Sequence, residues 1–71
     1  MRLDDAIVRQ GRLVRLYEVM RHLRVIAEVA DTGQVIRAAR AAQSALWPAI
    51  QELGGTPTTF LVWLDQQKIL R

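Results

Sequence analysis

The residues best equipped for recognition chemistry are Gln43 and Ser44, followed by Ala45, Leu46, Ala49, Ile50 and Leu53. A helix that enters the DNA major groove by its N-terminal end carries short polar side chains there and small apolar ones behind for packing. Glutamine can pair bidentately with adenine, and serine can contact a base or a phosphate. Arg37 and Arg40 precede this stretch, and their guanidinium forks match phosphate oxygens. Catalytic chemistry finds no comparable set. His22 stands alone between Arg21 and Leu23, without cysteine or clustered carboxylates, so it builds no metal site. Ser44 has no base beside it. Asp4 and Asp5 read as first-turn charges at the positive end of a helix dipole. Gly54-Gly55 reads as a helix stop rather than a phosphate loop. The expectation is a protein without enzyme activity, cofactor or metal.

The elements that position these residues come from a chain of 71 residues, enough for one domain. A chain of this size buries only about 60% of its unfolded surface. It has no cysteine to staple it, while 51% of its residues are hydrophobic. Both facts point to self-association or to docking on a partner. Ten Lys and Arg oppose seven Asp and Glu, for a net charge of +3 and a pI near 10.6. All these cations but Lys68 are arginine, which suits phosphate binding. No apolar run approaches the ~20 residues of a membrane span, and MRLDD does not open a signal peptide, so a cytoplasmic location is expected.

Residues 3–10 can form a short helix, which Gly11 weakens without forbidding its continuation. From 12 to 30 the apolar residues Leu16, Val19, Met20, Leu23, Ile26, Ala27 and Ala30 recur at helical steps and form one stripe. Asp31-Thr32-Gly33 stops that helix and caps the next. In residues 34–46, Val35, Ala38, Ala39, Ala42 and Leu46 share a face, and the alanines allow close packing. Pro48 predicts a kink or break, or else the first residue of a new short helix. The tail 56–71 is open between a short hairpin, from its β-branched and aromatic run, and a helix opened by Thr56-Pro57. Local signals lean to the helix. Trp47 and Trp63, with Phe60 and Leu64, are candidate core or interface anchors for a homo-oligomer.

RHLRVIAEVADTGQVIRAA, residues 21–39, resembles the start of a LysR-type transcriptional regulator, and QSALWPAIQEL, residues 43–53, is similar to that family's recognition helix. The resemblance implies a mainly α, winged helix-turn-helix domain of three to four helices in a bacterial homodimer that binds double-stranded DNA in transcription regulation. It implies phosphate contacts for Gln34 and Arg37 and base contacts for Gln43 and Ser44. It leaves Lys68 and Arg71 as the only cations where a wing would lie. On this reading the single domain 1–71 divides into an N-terminal helical extension (1–20), a helix-turn-helix-like region (21–53) and a wing-like or helical tail (56–71). The chain departs from the family where the turn should be. Only Arg40, Ala41 and Ala42 separate the two matching segments, and Trp47-Pro48 and Gly54 replace family residues. The alternative is that residues 34–46 run on as one helix. The protein is then a small helical interaction or oligomerisation module that no longer binds DNA.

Overall fold

The structure, a computed structural model, describes residues 3–69. They form three helices, α1 (Leu3–Val29), α2 (Gly33–Glu52) and α3 (Pro57–Ile69), and no strand occurs among the described residues. The domain is therefore small and mainly α. α1 and α2 make an antiparallel hairpin, and α3 returns beside α1, so the chain runs up, down and up.

α1 passes through Gly11 without a break. A glycine costs about 1 kcal/mol relative to alanine inside a helix. Burial of Leu13 and Tyr17 in the next turn outweighs that. Those two residues and Met20 are core members, so the segment read as an extension supplies half of the buried core. The linker is short because Thr32 is an N-cap in extended geometry (φ −121°, ψ 145°) whose hydroxyl accepts the Val35 N–H at 3.3 Å.

α2 is the main departure from the sequence reading. It runs unbroken from Gly33 to Glu52 with Pro48 inside it. No turn separates Arg40 from Gln43, and no new helix starts at Pro48. The reason is packing on both sides of the proline: Leu46 and Trp47 before it and Ile50 after it all lie against the core. Pro48 itself faces solvent, where its missing N–H and its ring disturb only the outer side of the helix.

α2 ends in a Schellman motif. The N–H of Gly54 reaches the Gln51 carbonyl at 3.0 Å and that of Gly55 reaches Ile50 at 2.9 Å, with Gly54 at φ 91°. α3 opens with a reciprocal cap. Thr56 Oγ1 accepts the Thr59 N–H at 3.1 Å, and Thr59 Oγ1 accepts the Thr56 N–H at 2.8 Å. This is a capping box with threonine in the place usually held by Glu or Gln. The tail is thus helical from Pro57 to Ile69, and the hairpin alternative does not form among the described residues. Ile50 is fully buried at the centre, with Leu13, Tyr17, Met20 and Phe60 around it.

Candidate interaction surfaces

The residues singled out for chemistry divide among different places. Gln34 and Arg37 are exposed near the start of α2. Arg40 and Ser44 are exposed one turn apart in mid-helix, and Gln43 between them is half-buried. These three meet at a groove of about 470 Å³ whose floor is Met20, Trp47 and Phe60. Arg24 of α1 closes the rim opposite Arg40, a role that nothing in its local sequence marked. Lys68 is exposed in the last turn of α3, by Glu28 and Arg24, while Arg71 lies outside the described residues.

The four residues read as core or interface anchors pack within the chain. Phe60 is buried, meets Trp47 edge-to-face at 5.9 Å and stacks near Trp63 at 6.2 Å. Tyr17 joins both from α1, at 5.2 Å from Phe60 and 5.6 Å from Trp63. Leu64 packs against the same cluster, and the Arg21 guanidinium sits 5.8 Å from the Trp63 ring centre. Tyr17 also shares a 2.7 Å hydrogen bond with Thr59, which ties α1 to the cap of α3. The aromatics therefore build this chain's own core. The sequence reading missed Tyr17 and Leu13, although both lie at helical spacing before Met20.

The uncovered surface lies elsewhere. α3 rests on the side of the hairpin that carries Tyr17, Arg21 and Arg24 from α1 and Arg40, Ser44 and Trp47 from α2. On the other side, Leu16, Val19, Leu23 and Ile26 follow one another at alternating steps of three and four residues along α1, with Leu16 half-buried against the core. Val35, Ala38, Ala42, Ala45 and Ala49 do the same along α2. At 3.6 residues per turn each set occupies an arc of roughly 80°, on the flank away from α3. Val19, Ile26 and Val35 are 45%, 43% and 43% exposed, and Ala38, Ala45 and Ala49 are exposed as well. The single stripe legible on α1 is thus two neighbouring stripes. Met20 and Ala27 turn into the hairpin, while Val19 and Ile26 stay outside it.

The fold and surfaces define a small three-helix domain with one uncovered apolar hairpin face and one basic-rimmed groove. Comparison with protein-family models, with curated proteins and with solved structures gives no match. Among the described residues no helix is long and apolar enough to cross a membrane, and no group of three or more His, Cys, Asp or Glu could hold a metal ion.

Proposed function

We propose that this protein is a small helical oligomerisation module, and that a second copy packs on the open face of the α1–α2 hairpin. The observation that carries this reading is the second apolar seam, present on both helices and left uncovered by α3. Alternation of three- and four-residue steps is the pattern by which helices interlock side by side. Alanines along α2 let a partner helix approach closely, while Val19, Leu23 and Ile26 supply the knobs. Two hairpins joined this way form a four-helix layer with α3 of each copy outside it.

The exposed area leaves room for such a contact. The chain exposes 5506 Å², whereas a folded monomer of 8.1 kDa is expected to expose about 4,500 Å², an excess of about 1,000 Å² that the seam shares with the exposed first turns of α1. A stable interface of ordinary size removes about 800 Å² from each partner. The same patch can meet itself about a two-fold axis, so the association closes at a dimer.

The DNA-reading alternative needs Gln43 and Ser44 at an accessible helix N-terminus. They lie in the middle of α2, with Gln43 half-buried against the core side, so this geometry favours the interaction reading. Sedimentation equilibrium from low micromolar to near-millimolar concentration tests the proposal. Wild type is expected to dimerise. Ala38→Glu, which puts a charge into the seam, is expected to stay monomeric with its helicity intact, and Gln51→Glu, which adds the same charge on another flank, to dimerise. A wild type that stays monomeric throughout would refute the module. Duplex DNA titrated alongside at two salt concentrations reads the alternative, since phosphate contacts weaken steeply with salt.

A further inference from the structure

The groove on the α3 side is separate from the open face and does not depend on association. Its floor is apolar and aromatic, from Met20, Trp47 and Phe60, one residue from each helix. Its rim is polar on one side, with Arg40, Gln43 and Ser44 from α2 facing Arg24 from α1. Leu61, 56% exposed, forms the lip on α3. No acidic side chain lines it. Arg24 also lines the neighbouring hollows that Glu28 and Asp65 border around the edge of α3.

We propose that this groove binds a small amphiphilic anion, a carboxylate carried on a hydrocarbon body. A mostly apolar concavity with a few convergent polar groups is the usual form of a small-molecule site, and the groove's volume falls in the ordinary range of roughly 300–1,000 Å³. The guanidinium of Arg40 offers a carboxylate paired N–H donors. The Gln43 amide and Ser44 hydroxyl stand within one turn of it on the same helix and can donate to the same head group. Arg24 adds positive potential from the facing wall. A bare hydrated ion would satisfy the rim but leave Trp47 and Leu61 wet. A neutral hydrocarbon would cover them and leave the rim unmatched. Only a molecule with both parts uses both halves.

Decanoate below its micelle-forming concentration is a suitable probe, followed by amide and indole NMR shifts. Decanol and decyltrimethylammonium serve as neutral and cationic controls of the same chain length. Saturable shifts are expected at Arg24, Arg40, Gln43, Ser44, Leu61 and the Trp47 indole, with weaker binding of both controls. Arg40→Gln is expected to weaken decanoate about tenfold, the scale of one hydrogen bond to a charged group. Arg24→Gln should also weaken decanoate, because it removes positive potential from the facing wall. The Ala38→Glu chain should bind decanoate as wild type does, which separates this site from the dimer reading. Decanol binding as tightly as decanoate, an unchanged Arg40→Gln, or shifts confined to Leu16, Leu23 and Ala42 would each overturn the proposal.

Discussion

At the scale of single residues, the join between α2 and α3 is the tightest place in the molecule. A methyl group added at Gly55 would stand 2.5 Å from Ile50 Cγ2, 2.6 Å from the Tyr17 hydroxyl and 2.8 Å from Leu13 Cδ1. All three neighbours are core side chains, and Tyr17 is further held by its bond to Thr59. All three would have to shift together to admit it. Gly55→Ala is therefore expected to destabilise the fold by about 1–3 kcal/mol, the usual cost of overpacking, read as a lower urea midpoint. Gly11 is the opposite case. It lies within α1, and a methyl there meets nothing within 4 Å. Gly11→Ala should raise stability by about 1 kcal/mol through helix propensity alone. A Gly55→Ala midpoint at or above that of wild type would mean that the close packing at Gly55 is wrong.

At the scale of elements, α2 shows what local signals can and cannot decide. The caps were legible because they act within a turn: Thr32 before α2, Gly54 after it, and Thr56-Pro57 opening α3. Their chemistry is carried by adjacent residues and needs no distant partner. Pro48 misled for a physical reason. Its local preference against a helix is real, but Trp47 and Ile50 on either side gain more from the core than the proline costs, and that core is made by residues distant in sequence. The same limit hid the groove, since Arg24 and Arg40 meet only once the hairpin closes. It also hid the division of the α1 stripe, because spacing gives a helix's apolar arc but not which part of it a neighbour covers. Pro48→Ala tests this balance. Alanine restores the donor to the Ser44 carbonyl on a face where the ring touches no core, so stability should rise, by up to about 3 kcal/mol. A fall in the urea midpoint would mean instead that the proline sets a bend the packing of Trp47 requires.

At the scale of the whole molecule, a core centred on one fully buried side chain, Ile50, must hold 71 residues without a disulfide. A domain of this size is marginal on its own, and the usual remedies are staples, metals or partners. Cysteine is absent from the sequence. On the proposed reading the remedy is the uncovered hairpin face, and it has a thermodynamic consequence. If the second copy binds only the folded chain, dimerisation is linked to folding, and the thermal midpoint rises with protein concentration. For a chain of this length a tenfold increase in concentration should raise it by about 4 °C. Ala38→Glu breaks the seam, so its midpoint should sit below that of wild type and stay flat across the same concentrations. Gln51→Glu, on another flank, should keep the wild-type slope. Differential scanning calorimetry over two decades of concentration reads all three chains. A flat wild-type midpoint would show that the three helices stand alone, and that the apolar seam adds nothing to their stability.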